Sequence, residues 1–246
     1  MTQTQNPEIT QKHLRCVYKA GAIAAIIVVI GSIFDIIIGS SLGGDLTAIP
    51  KNAVDRFALF QVNPLLSLYY LDFLNLVTLV ISFPAIFALY WAMKKYRPAL
   101  STMGMIVFII GLTLFISNNT ALQMAQLSYK YNHTTDQMVQ FFLSGLGDFL
   151  IAKGSHGSAG VFFGFFFVLV SEMMISFAML SKEIFSKWTG IIGILGTFLM
   201  LIYIFLVTFV PGVGKVAMMV SMPGGLLLMA WMVLFTIRLF KLGSLK

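Results

Sequence analysis

Residues 165–180 read "FFFVLVSEMMISFAML", and Glu172 is the sole ionisable side chain among them. A run this apolar around one carboxylate decides the fold class. Extended upstream through "AGVFFG" at residues 159–164, it reaches the roughly 20 residues that a helix needs to cross about 30 Å of hydrocarbon. Five further runs of this kind lie near residues 20–41, 66–92, 100–120, 189–210 and 217–238. Membrane barrels are written instead as short alternating segments. The expected fold is therefore an all-α membrane protein, a six-transmembrane-helix bundle.

Composition agrees: hydrophobic residues make up 59% of the chain and charged residues 10%, with a mean hydropathy of +0.92. A soluble globular domain is excluded by these values. The basic residues set an orientation. Lys12, Arg15, Lys19, Lys94, Lys95, Arg97, Lys182, Lys187, Arg238, Lys241 and Lys246 fall on one side, against Lys51, Arg56, Lys130, Lys153 and Lys215 on the other. Both termini are accordingly expected to be cytoplasmic, in a cell (cytoplasmic) membrane. The net charge of +7 is then a topological signal carried by short juxtamembrane clusters, and no nucleic-acid partner is expected. The partners expected are the lipid bilayer and a small-molecule or cation ligand.

Cys16 is the only cysteine, so no internal disulfide or multi-cysteine metal site can form. His13, His133 and His156 are scattered, without paired-ligand spacing, and no metal or cofactor is expected. Residues 1–15 read as a polar cytoplasmic tail and 16–246 as a single transmembrane domain. No charged n-region with a small-residue cleavage site accompanies the first span, which is read as retained.

Two long connections face outward. The first contains Gly43, Gly44 and Pro50, then an amphipathic stretch with Val54, Phe57, Ala58 and Phe60. Asn63 followed by Pro64 is a good helix start, so the second span is expected to begin there and to enter the membrane near Tyr69 and Tyr70. In the second connection Thr135 is expected to cap a helix carrying Met138, Phe141, Phe142, Leu146, Phe149 and Leu150. Their three- and four-residue spacing gives an apolar stripe, and hence an amphipathic interfacial helix in the loop between the third and fourth spans. Gly104 with Gly111, and Gly190, Gly193 and Gly196, mark faces where another helix can approach closely. Pro84 and "MPGG" at residues 222–225 are expected to kink or thin their helices.

At "DRFALF", "SFPAIFALYWAMKKYRPAL", "SKWTGIIGILGTF" and "MPGGLLLMAWMVLFTIRLFKLG" the chain resembles a family of prokaryotic integral membrane proteins classed only as a domain of unknown function. The resemblance runs from about Tyr18 to the last span. It implies a prokaryotic cell membrane and a six-span layout, and it brings no catalytic residue.

The site must therefore come from the polar groups inside the spans. Asp35 falls in the outer third of the first span, Asp72 and Asn75 at the outer edge of the second, and Asn118 with Asn119 at the outer end of the third. Glu172 lies near the midplane. Together they describe an outward-opening polar funnel with Glu172 at its floor. No Lys, Arg or His lies deep in any span, so Glu172 is left with three options. It can be a neutral acid hydrogen-bonded to Ser171, Ser176, Thr113 or Tyr203, it can bind a cation or amine, or it can exchange a proton. Asp35 and Asp72 can reach water or pair with Arg56 or Lys215. "GSHGSAG" at residues 154–160 places Ser155, His156 and Ser158 together, which raises a serine hydrolase reading; against it, sequence neighbours rarely face one another, and His156 is expected near Asp148. Three functions follow. The first is a small-molecule or ion binding and transport protein using Glu172, Asp35, Asp72, Asn75 and Asn118. The others are a membrane-embedded enzyme acting on a lipid-like substrate, and a structural or partner-binding subunit.

Overall fold

The computed structural model describes residues 7–41 and 49–244, and all of its regular structure is helical: α1 (Pro7–Ser41), α2 (Ala53–Val62), α3 (Pro64–Tyr69), α4 (Phe73–Met93), α5 (Pro98–Asn118), α6 (Ala121–His133), α7 (Gln137–Gly154), α8 (Ala159–Met179), α9 (Lys187–Phe209) and α10 (Gly214–Ser244). The expected Gly43–Gly44 pair and the first six residues of the polar tail lie outside the described residues. From Pro7 onward the supposed tail is already part of α1.

Six helices are long and apolar enough to cross a membrane, and each overlaps one expected span, the second beginning at Phe73 rather than near residue 66. Each packs mainly on two neighbours, in the cyclic order α1, α4, α5, α8, α9, α10 and back to α1, and α4 also touches α8 across the ring. The bundle is thus a closed ring. Gly243 of α10 sits against Arg15 and Lys19 of α1, so both ends of the chain share one end of the bundle. We call this the basic end, after its Lys and Arg residues.

That end is densely packed. Trp231, Phe108, Phe235, Leu89, Met93 and Met179 are all nearly inaccessible, and Trp231 Nε1 donates to Met179 Sδ at 3.3 Å. Small residues bring the helices together, as their spacing predicted. The close approach of α5 and α8 runs on toward the cap: a Cβ on Gly111 would lie 2.7 Å from the backbone nitrogen of Val168, and one on Gly164, which the spacing does not single out, 2.9 Å from Phe115 Cα. With the backbones this close, Ser171 Oγ reaches across to donate to Gly104 O at 2.6 Å. The helices α4 and α10 continue through Pro84 and Pro223.

At the opposite end α2, α3, α6 and α7 form a cap with its own apolar core, in which Phe57, Leu71 and Met124 are fully buried. Asn52 caps α2 through the Asp55 amide, while Asp148 of α7 accepts from the Ala53 amide at 2.7 Å. Ser128 of α6 donates to Phe57 O, tying the third cap helix in. The α7 N-cap is Asp136 rather than the expected Thr135, because the Asp136 carboxylate reaches the amides of Met138 and Val139. The stripe of Met138, Phe141, Phe142, Leu146 and Phe149 is exposed. α6 went unrecognised in the sequence because its polar residues dilute the apolar pattern.

Candidate functional site

The second span does start a helix at Pro64, with Asn63 capping the Leu66 amide, but that helix stops at Tyr69. A sharp turn through residues 70–72 follows, and α4 begins at Phe73. Asp72 takes a left-handed conformation, φ 57° and ψ 26°. Such backbone is unfavourable for most L-residues and tolerated best by Asn and Asp. The surroundings hold it in place. Asn119 donates from Nδ2 to Leu71 O at 2.9 Å, and Arg56 donates to Pro50 O and Tyr70 O.

The buried Asp72 carboxylate accepts two bonds, from Asn75 Nδ2 at 2.9 Å and from His156 Nδ1 at 3.1 Å. On the far side of the same ring, Nε2 of His156 lies 2.8 Å from the Tyr203 hydroxyl. An ionised carboxylate can only accept, so Nδ1 carries a hydrogen, and Nε2 either accepts from the phenol or donates to it. His156 stands on the turn between α7 and α8. Its neighbour Gly157 has φ +79° and packs against Val207 of α9, a position where a side chain would be strained and crowded.

The placement matters more than the bonds. Asp72 leads into α4 and Tyr203 belongs to α9, and in the ring these helices stand opposite one another, with two others between them on either side. His156 is therefore a crossbar over the cap end of the bundle. Its side chain remains 24% exposed, so the crossbar can be reached. Beside it, Tyr69 donates its hydroxyl to the Asp35 backbone carbonyl at 3.3 Å, which brings α1 to the same cluster. Burial raises the Tyr69 phenol above its ordinary value, and the nearby Asp35 and Asp72 carboxylates raise it further. Burial lowers the Arg56 guanidinium, which Asp72 partly offsets.

Beneath the crossbar the α4 wall loosens. No residue of α4 before Ala85 is buried, although α1 and α5 flank that helix. Glu172 sits three residues past the midpoint of α8, about 20 Å along the helix from Ala159. At 100° per residue it shares a side with the buried Val168, Leu169 and Ile175, roughly opposite the exposed Phe163 and Phe177. Yet Glu172 itself is partly accessible. It therefore sits on the inner side of the ring without being packed over. Its carboxylate has no hydrogen bond or ion pair among the described residues.

The expected partners of Glu172 are engaged or turned elsewhere. Ser171 bonds Gly104, Tyr203 bonds His156, and the buried Ser176 hydroxyl is itself without a partner. Two more expectations are corrected. His156 pairs with Asp72 and not with Asp148, whose carboxylate caps α2, and Asp72 has no salt bridge to Lys215 or to Arg56, whose guanidinium donates to Pro50 O and Tyr70 O. Asp72, Asn75 and Asp35 do converge at one end. Asn118 does not join them: its Nδ2 donates to Leu114 O within α5, and its side chain meets Gly160. Ser158 caps α8 and donates to Lys153 O, so the neighbouring serine and histidine do not form a nucleophile–base pair. Tyr203, expected as a partner of Glu172, joins the cluster through His156 instead. No group of three or more His, Cys, Asp or Glu able to hold a metal occurs among the described residues.

A closed ring of six apolar helices with an inward carboxylate defines a multi-pass helical membrane protein. Compared with protein-family models, curated proteins and solved structures, the chain finds no match.

Proposed function

We propose that this chain is a cation- or proton-exchanging binding and transport protein of a prokaryotic cytoplasmic membrane, with both termini inside and the cap outside. The basic residues concentrated at the end shared by the termini support that orientation, and the exposed stripe of α7 then rests in the outer leaflet. The observation that carries the reading is the unpartnered inward carboxylate of Glu172 beneath a histidine joining opposite walls. A carboxylate without a cation in an apolar span is costly unless a proton or ligand neutralises it. His156 closes the outer opening while it is bonded to both Asp72 and Tyr203. Releasing either bond frees α4 from α9 and opens the way to Glu172.

The test uses dicyclohexylcarbodiimide, which modifies protonated carboxyls in apolar surroundings, with mass spectrometric readout of wild type and Glu172→Gln. Modification of Glu172 that falls steadily as pH rises is expected. Absence of modification at every pH, while the exposed Glu183 reacts with a water-soluble carbodiimide, would remove Glu172 from any exchange role.

A second reading rests on the same histidine. Carboxylate, imidazole and hydroxyl stand in the order used for general-base activation, with Tyr203 in place of either serine. An enzyme of this kind acting on a lipid-like substrate would lose turnover on Tyr203→Phe and keep it on Ser155→Ala and Ser158→Ala.

A further inference from the structure

The surroundings of Glu172 say what kind of cation it takes. Hard metal ions demand several oxygen ligands, typically six to eight for calcium. Glu172 offers one carboxylate, and no acidic or histidine cluster accompanies it. A helical side chain leans toward the N-terminus of its helix, so the carboxylate lies over the turn of Val168 and Leu169, with Phe165 on the same side one turn higher. Phe165 belongs to an apolar cluster with Leu169, Met200 and Tyr203, which joins α8 to α9. It is half-buried and stacked edge-on to Phe115 at 4.7 Å. A single carboxylate on the same face of α8 as Phe165, beside a cluster that carries Met200 and Tyr203, suits one positive charge on an apolar body, through ion pairing below and cation–π contact above.

We infer that Glu172, Phe165, Met200 and Tyr203 form a binding site for a lipophilic organic monocation, such as a quaternary or protonated amine. This rests on the exchange role of Glu172 proposed above. Binding replaces the proton on the carboxyl: the cation enters, one proton leaves, and the net charge in the span is unchanged.

The probe is benzyltrimethylammonium, set against its uncharged isostere neopentylbenzene and against sodium and potassium, and the readout is protection of Glu172 from the carbodiimide in native membrane vesicles. Protection by the organic cation alone is expected. Its half-protecting concentration should fall about tenfold per pH unit while the acid is protonated, because one proton is exchanged per cation. Phe165→Leu should raise that concentration several-fold and leave carbodiimide modification intact, a readout that a misfolded protein would not give. Equal protection by the neutral isostere would overturn the inference by showing that charge is not read. Protection by sodium or potassium alone, or pH-dependent modification that nothing protects, would overturn it while the exchange role stood. If Glu172 is not modified at any pH, both fall together.

Discussion

Two regions of the ring, the basic end with the α5–α8 seam and the cap-side half of α4, are built by opposite rules. At the basic end, helices meet through glycine and serine, and large side chains such as Trp231 and Phe108 fill what remains. At the cap end, α4 runs for a dozen residues, Phe73–Pro84, without burying one, and polar side chains bridge the distance that packing leaves open. The first region derives its stability from contact density, the second from a few directional bonds. Motion and chemistry are therefore expected in the second, which local stability leaves freer to open.

Substitutions can break this comparison. The largest effect should come from Trp231→Ala, which removes a fully buried indole from the packed region and is expected to cost about 3–5 kcal/mol in a detergent melt. Gly111→Ala drives a methyl into the backbone of Val168 and Gly164, neither of which can rotate away. A loss on the order of 2–3 kcal/mol is expected, whereas Gly145→Ala, with open space around it, should be neutral or gain a few tenths of a kcal/mol. If the two alanines behaved alike, close approach would not be what holds α5 to α8.

At the cap end the expected costs are smaller, and a pair of variants sharpens them. Asp72→Gly relaxes the left-handed backbone but deletes the carboxylate, whereas Asp72→Asn keeps an acceptor and the conformation. Asn is expected to cost under about 1 kcal/mol and Gly more. The reverse order in the same melts would mean that backbone strain outweighs the His156 bond. Removing the α8 cap with Ser158→Ala should cost about 1 kcal/mol and change no activity. The smallest effect belongs to Glu172→Gln, which breaks no bond among the described residues and should leave the melting temperature within a degree or two of wild type. A collapse would point to a structural bond instead.

The six spans and the close contacts at Gly104, Gly111, Gly190, Gly193 and Gly196 were legible in the sequence because both are one-dimensional signals: hydropathy over about 20 residues, and small residues at helical spacing. Asp35, Asp72, Asn75 and Glu172 were legible as polar exceptions to that pattern. The crossbar was not. His156 and Asp72 are 84 positions apart, and His156 and Tyr203 47. Nothing local in "GSHGS" tells a helix start from a bridge across the ring, and the break at residues 70–72 lies hidden between two stretches that each read as helix. Glu172 was legible as the one carboxylate of its span, but its isolation depended on where Ser171, Ser176 and Tyr203 point, which only three dimensions decide.

Trp231 has one further consequence, in spectroscopic terms. The chain has three tryptophans. Trp91 and Trp188 are exposed, at 37% and 71%, whereas Trp231 is fully enclosed, its indole nitrogen on the Met179 sulfur and its ring beside Gly193. With the other two changed to phenylalanine, the protein would carry a single internal lamp at the foot of the ring, emitting blue while dry. Loosening of the packed end would wet the indole and shift that emission to the red, so opening there could be followed in real time without an attached dye.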